Sequence, residues 1–134
     1  MGGGYFYFTT IIGNDEVVKK IQCTKEYDAD EVNAVVDVNN IYNFIGNDKL
    51  QKVDSIITYK FKDQNAYETF INNGSIYNYM PEFTINHVPN SDKLTIEYIV
   101  EIQVDASYSE PTEYEELINH YKQNEYNCSE KVEK

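Results

Sequence analysis

The chain has 134 residues, of which 23 are acidic and 11 basic, giving a formal net charge of −12 and a pI near 4.4. All 11 basic residues are lysines, and arginine is absent. Because arginine binds phosphate through paired hydrogen bonds, its absence argues against direct binding of nucleic acid or nucleotide phosphate. The length and a hydrophobic content of 41% predict one folded domain over 1–134.

The two cysteines and the first residues bear on the compartment. Cys23 and Cys128 are far apart and lack the dense spacing of a disulfide framework, so reduced thiols are predicted. The opening MGGGYFYF lacks a secretory signal pattern, and the sequence contains no apolar run of 18 residues. We therefore expect a cytoplasmic protein without membrane contact.

The first elements along the chain read as a strand, a hairpin arm and then a helix. YFYFTTII at 5–12 predicts a strand, and 16–24 predicts the returning arm of a hairpin, with a short helix as the alternative. Over 27–48 an acidic start and hydrophobic spacing predict a helix capped by Asp28 or Asp30. The apolar positions of this predicted helix are Val32, Val35, Ile41, Tyr42 and Ile45. The run Val35 to Val38 leaves a strand open as the alternative.

The middle of the chain alternates between strand and helix signals. VDSIITYKF at 53–61 has the two-residue period of a half-buried strand, and Asp63 is placed to cap a short helix that Gly74 ends. Residues 76–80 and 82–88 predict strands on either side of Pro81. The apolar positions of the short helix are Tyr67, Phe70 and Ile71.

LTIEYIVEIQVD at 94–105 is the strongest periodic signal in the sequence. Leu94, Ile96, Tyr98, Val100, Ile102 and Val104 occupy one face, and the other face is largely acidic. The pattern predicts a long strand at or near the centre of a sheet.

EPTEYEEL at 110–117 predicts the start of the C-terminal helix. Thr112 and Glu115 have the spacing of a capping box, and the helix has an apolar stripe. That stripe comprises Tyr114, Leu117, Ile118 and Tyr121. The ordered core is expected over 5–126, followed by a frayed tail at 127–134.

Together these elements predict a single α+β domain. It would be mainly an antiparallel sheet of about five or six strands, with two or three helices packed on one face. A ferredoxin-like arrangement is one possible topology.

Motifs for catalysis or metal binding are absent from the sequence. His87 and His120 fall on different predicted elements, and Glu116 with His120 forms an i, i+4 pair that lacks a third ligand. No nucleophile elbow, Gly-rich phosphate loop or EF-hand loop occurs. We therefore expect a non-enzymatic protein with no cofactor and no metal.

The carboxylates themselves are the candidate functional feature. Acids and tyrosines are close in sequence around the last long strand and the C-terminal helix, and tyrosine is frequent at interface hot spots. The candidate partner-binding residues are Glu97, Glu101, Asp105, Tyr108, Glu110, Glu113, Tyr114, Glu115 and Glu116. Such a surface would bind and block a basic protein, for example a nuclease or another nucleic-acid-binding protein.

Small acidic phage inhibitors of host defence nucleases, nucleic-acid mimics and immunity proteins share the charge and size of such a blocking protein, which is a likeness of composition alone. Three other interpretations are compatible with the sequence. A structural or assembly subunit, forming oligomers through tyrosines or an edge strand, is the alternative function. A small-ligand binder or hydrolase is the third, and an acidic face that serves only solubility is the simplest reading.

Overall fold

The computed structural model describes residues 19–46 and 49–131, which form one six-stranded antiparallel sheet and three helices. The strands are β1 Lys19–Ala29, β2 Ala34–Phe44, β3 Leu50–Phe61, β4 Thr84–Asn90, β5 Thr95–Gln103 and β6 Asn127–Lys131. The helices are α1 Gln64–Asn72, α2 Ser75–Asn78 and α3 Tyr114–Gln123. The predicted α+β class is confirmed, whereas the strand predicted at 5–12 lies outside the described residues.

The strand order across the sheet is β4-β5-β3-β2-β1-β6, and each neighbouring pair is antiparallel. A ferredoxin-like fold alternates strands and helices as β-α-β-β-α-β. Here β1, β2 and β3 follow one another as a meander before α1 begins, so the ferredoxin-like option is wrong.

The two faces of the sheet differ in what covers them. One face, the covered face, carries residues such as Val36, Tyr59 and Tyr98, and all three helices pack on it. The other face, the open face, carries alternating residues such as Asp37 and Glu97, and no described helix packs against it. Antiparallel sheets commonly bury one face and leave the other in water.

Two apolar clusters lie side by side on the covered face. Under α1 and α2 the core includes Val36, Tyr59, Phe61, Phe70, Ile96 and Tyr98. Under α3 it includes Ile21, Cys23, Tyr42, Phe44, Val53 and Leu117. Ile102 of β5 packs against both clusters and so connects them.

The helix predicted at 27–48 is wrong, and the strand alternative holds. Residues 34–44 form β2, which pairs with β1 on one side and β3 on the other. A single 3-10 turn at Asp30–Val32 and a left-handed Asn33 reverse the chain between β1 and β2. The β-branched run Val35 to Val38 suits a pleated strand with two neighbours, and that pairing outweighs the helical spacing.

Helix α1 forms where the sequence predicts it. The Ala66 N–H donates to Asp63 Oδ1 at 2.8 Å, and Gly74 has a positive φ of 81° just after the helix. The strand predicted at 76–80 is wrong, because Ser75–Asn78 form α2, whose Ile76 is buried in the first cluster. The prediction at 82–88 is met in part by β4, which lies at the sheet edge as Pro89 allows.

Strand β5 confirms the strongest sequence signal, with β3 and β4 as its neighbours. Helix α3 also forms, but the predicted capping box does not. The Thr112 carbonyl accepts from the Leu50 N–H at 3.2 Å, so Thr112 is held beside β3. The N-cap position is therefore taken by Glu113, whose carboxylate pairs with Lys49 instead of closing the helix end.

The predicted frayed tail and the predicted reduced thiols are both corrected. Residues 127–131 form β6, which pairs with β1 in register from Thr24 to Lys20. That register places Cys128 opposite Cys23, and the two form a disulfide across 105 residues of sequence. Distance along the chain hid this pairing, because only the sheet brings the two segments together.

Burial of tyrosines is expected to make the free energy of unfolding decrease at alkaline pH. Burial raises the pKa of Tyr59 from 10.0 to about 12, with smaller contributions from Tyr27 and Glu31. An unfolded chain ionises tyrosine near pH 10, so the stabilisation is complete below that pH and is lost as the pH rises through 12. We expect the free energy of unfolding, measured by urea titration, to fall over this interval.

Tyr59→Phe provides the control, because phenylalanine keeps the ring and removes the titrating hydroxyl. The decline between pH 10 and 12 should be shallower in this variant than in the wild type. Equal slopes would contradict a role for Tyr59 in the pH dependence.

Candidate functional site

The nine residues selected from the sequence do not form one surface. Glu97 and Glu101 lie on the open face of β5. Asp105, Tyr108 and Glu110 belong to the segment between β5 and α3. Glu113, Tyr114, Glu115 and Glu116 lie at the start of α3, which packs on the covered face through Leu117. The exposed acids of α3 are therefore on the opposite side of the sheet from Glu97 and Glu101.

The two selected tyrosines contribute to packing. Tyr114 meets the ring of Phe44 edge-on at 5.5 Å, and the Lys19 ammonium lies 4.1 Å from the centre of the Tyr114 ring. Tyr108 packs against the cluster under α3, and burial raises its pKa. Both tyrosine rings therefore make most of their contacts within the molecule.

Two acids near α3 have close side-chain partners. Glu113 pairs with Lys49 at 2.7 Å, and Glu110 Oε1 lies 3.1 Å from His120 Nε2. The i, i+4 spacing had suggested Glu116 as the neighbour of His120, but the loop brings Glu110 there. An exposed ion pair such as Glu113–Lys49 contributes little to stability.

The open face is acidic but not uniformly so. Across β1 to β5 its alternating positions carry six carboxylates and three lysines. The carboxylates are Glu26, Asp28, Asp37, Asp54, Glu97 and Glu101, and the lysines are Lys20, Lys52 and Lys60. Acids therefore outnumber bases two to one on this face.

Two of those lysines lie between carboxylates. Lys60 is 2.7 Å from Asp37 and 3.7 Å from Glu26. Lys52 is 3.6 Å from Asp54 and 3.5 Å from Glu101. The open face thus has an internal charge pattern with a surplus of negative charge.

A buried amide orients one of these carboxylates. Asn43 is buried beside β3, and its Nδ2 donates to Asp54 Oδ2 at 3.1 Å. The same nitrogen also lies within hydrogen-bond distance of the carbonyls of Ile41 and Lys52. Asp54 is therefore held in a defined position at the surface.

The centre of the open face is apolar, which sequence analysis missed. Ile56 of β3 is 41% exposed and lies directly opposite Ile99 of β5. Ile85, at a bulge in β4, and Ile41 of β2 line the same shallow depression together with Asp54 and Glu101. The available signal was Ile56 itself, an isoleucine at a solvent position between Asp54 and Thr58.

Groups suited to catalysis are not gathered in the described part of the chain. His87 contacts the Tyr77 ring at 5.7 Å, whereas His120 lies on α3 beside Glu110. Hydrogen bonds from Ser107 lower the pKa of Asp105, which stabilises its charged form. Within residues 19–46 and 49–131, no three potential metal ligands come close enough to hold an ion.

Comparison with known proteins gives no family. No family model, curated protein or solved structure matches the chain. None of the helices in the described ranges has the length and apolar character needed to cross a bilayer. Function must accordingly be argued from the chemistry of the surface.

Proposed function

We propose that the protein is a non-enzymatic interaction protein whose open face binds and blocks a basic partner. The observation that carries the proposal is the cluster of isoleucines at the centre of that face, bordered by Asp54, Glu97 and Glu101. The partner class is a cationic protein, such as a nuclease or another protein that handles nucleic acid. An inhibitor encoded by a phage against host defence would have this chemistry.

The arrangement has the anatomy of a protein interface. Such interfaces have an apolar centre that is sealed from water and a polar rim that sets orientation. The solvent side of an antiparallel sheet is ordinarily polar, so exposed Ile56 opposite Ile99 is unusual at that position. The small apolar depression supports the proposal because it lies within a rim of carboxylates.

Charge selects the partner. A net charge of −12 attracts cationic proteins over long range and accelerates their encounter. The surplus of acids on the open face then favours a partner whose own contact surface is basic. The acids of α3 face away from this surface, so they contribute to the long-range field rather than to contact.

The compartment is part of the proposal. The sequence predicts the cytoplasm, which for a phage product is the host cytoplasm, whereas disulfides persist chiefly in oxidising compartments. The Cys23–Cys128 bond belongs to the covered-face side of β1. The open-face acids of β3 and β5 do not depend on it, so binding is expected in either redox state.

Charge reversal on the open face tests the proposal. The double variant Glu97→Lys with Glu101→Lys should weaken binding of the basic partner by about 100-fold, or roughly 2.7 kcal/mol. The partner is first recovered by affinity capture from extracts of the producing cell, and its affinity is then measured by calorimetry.

The matched control is Glu115→Lys with Glu116→Lys on α3, which changes the net charge equally on the other side of the sheet. It should slow association a few-fold while preserving the contact. Equal losses in both variants would reduce the effect to net charge, and unchanged affinity in the first would remove the open face from the proposal.

An assembly subunit is the second candidate function. It is favoured by the exposed apolar side chains near the edge strand β4, namely Tyr77, Phe83 and Ile85, of which Ile85 also lines the open-face depression. Recovery of only the protein itself in the affinity capture would favour this candidate over the blocking of a basic partner.

A further inference from the structure

The segment that ends in β4 carries almost no charge of its own. In a chain of which 25% of residues are charged, the 23 residues from 69 to 91 contain one charged residue, Glu82. This range covers the end of α1, all of α2 and all of β4. Strand β4 itself carries no charged residue, although Glu97 and Glu101 of the neighbouring β5 lie beside it on the open face.

Exposed apolar side chains are concentrated in the same range. Tyr77 is 66% exposed, Ile85 64%, Phe83 61% and Val88 40%. Tyr77 contacts the His87 ring on the helical side of β4, whereas Val88 lies opposite Glu97 of β5 on the open face. These side chains therefore surround β4 on both sides of the sheet.

Strand β4 ends the sheet, and β5 is its one neighbour among the described strands. Edge strands usually carry lysines, prolines or bulges that prevent pairing with other chains. In β4 a bulge occurs between Thr84 and Asn86, and Pro89 lies near the end, but the strand carries no lysine. The stretch around Ile85 to Val88 is the part of this edge most open to pairing.

We propose that β4 is a dimerisation edge, at which a second copy of this chain pairs antiparallel with β4. Two copies that each carry −12 repel one another wherever their acids meet. Strand β4 carries no charged residue, so pairing along it brings fewer acids together than contact through the acidic parts of the surface. A two-fold contact also requires a patch that is complementary to itself, which an antiparallel pair of identical strands provides.

The exposed apolar area near β4 is comparable to a large part of the area that each partner buries in a standard protein interface. At roughly 150–250 Å² per aromatic side chain, the exposed parts of Tyr77 and Phe83 supply about 250 Å² per copy. With Ile85 and Val88 this approaches half of the ~800 Å² per partner of a standard interface. Strand pairing and adjoining backbone supply the remainder.

The dimer develops the second candidate function and does not depend on binding of a basic partner, and its salt response is opposite to that of partner binding. Screening reduces repulsion between the two acidic copies, so added salt should strengthen the dimer. The same salt should weaken binding of a basic partner at the open face. Failure of one proposal is therefore distinguishable from failure of the other.

Matched isoleucine variants test the edge. Sedimentation equilibrium of the full chain, whose monomer mass is 15.6 kDa, should show a dimer that dissociates on dilution. Ile85→Lys should raise the dissociation constant at least about 100-fold, because the new ammonium groups lie near each other at the contact. Ile56→Lys, on strand β3 two strands in from β4, should raise the dissociation constant far less, because β3 takes no part in the proposed strand pairing.

Urea unfolding, a second edge variant and amide exchange test the β4 dimer independently of sedimentation. Ile85 is exposed, so its variant should unfold at the wild-type urea concentration when both are monomeric, and Val88→Lys provides a second edge substitution. Amide exchange around Ile85 to Val88 should slow as the wild-type concentration rises. A monomer at all concentrations and salts, a dimer insensitive to both edge variants, or a dimer broken equally by Ile56→Lys would overturn the proposal.

Discussion

Tyr98→Ala is expected to lower the free energy of unfolding by about 3–5 kcal/mol, the range for removing a fully buried aromatic side chain. Tyr98 is 0% exposed at the centre of the cluster under α1 and α2, and it meets the Tyr59 ring edge-on at 5.8 Å. Its loss would leave a cavity beneath both helices. Urea unfolding followed by circular dichroism measures the change.

Tyr98→Phe separates packing from hydrogen bonding. The Tyr98 hydroxyl donates to the Ile76 carbonyl at 2.6 Å, which connects β5 to α2 inside the core. Phenylalanine keeps the ring but leaves this carbonyl without its donor, at a cost of about 1–3 kcal/mol. A loss as large as that of Tyr98→Ala would mean that the hydrogen bond, rather than the ring, dominates.

Opening the Cys23–Cys128 disulfide should have an effect of similar size. The bond closes a loop of about 100 residues, for which the chain-entropy model gives up to about 4–5 kcal/mol of stabilisation. We expect a reducing agent to lower the urea midpoint and to release β6 from β1. Amide exchange should then accelerate first at Asn127 to Lys131.

The double variant Cys23→Ala with Cys128→Ala should match the reduced protein, apart from the small cost of truncating buried Cys23. Alkylation before and after reduction reports whether the bond is present. Free thiols in the untreated protein, or a midpoint unaffected by reduction, would contradict the expected stabilisation.

The fold class was predictable because most elements carry clear local periods. β5 alternates over its full length and β3 alternates from Val53 to Phe61, and Asp63 with Gly74 bounds α1. β2 was mispredicted because its apolar residues fit a helical spacing as well as a strand. The deciding factor is non-local, since β2 has a hydrogen-bonded neighbour on each side.

Segment 76–80 shows the reverse error. Its aromatic residues suggest a strand, but Gly74 turns the chain and Ile76 is drawn into the core beside Tyr98. A four-residue helix satisfies both constraints. Neither the turn geometry nor the contact with β5 is visible within the segment itself.

The candidate site was predictable only in part. The period of β5 correctly placed Glu97 and Glu101 together on the face opposite Tyr98. Which face α3 would cover is a matter of chain path rather than local pattern, so the acids around Glu115 were wrongly grouped with them. The isoleucine centre of the open face arises from neighbouring strands and becomes visible only once Ile56 and Ile99 are paired.

The pairing of β6 with β1 also has a consequence during synthesis. β1 gains β2 as soon as the first hairpin has left the ribosome, whereas β6 is translated about 100 residues after β1. At ~5–20 residues per second, this interval lasts about 5–20 s. Throughout that time the segment Lys20 to Thr24 lacks β6, and a nascent chain is most vulnerable to joining another strand there.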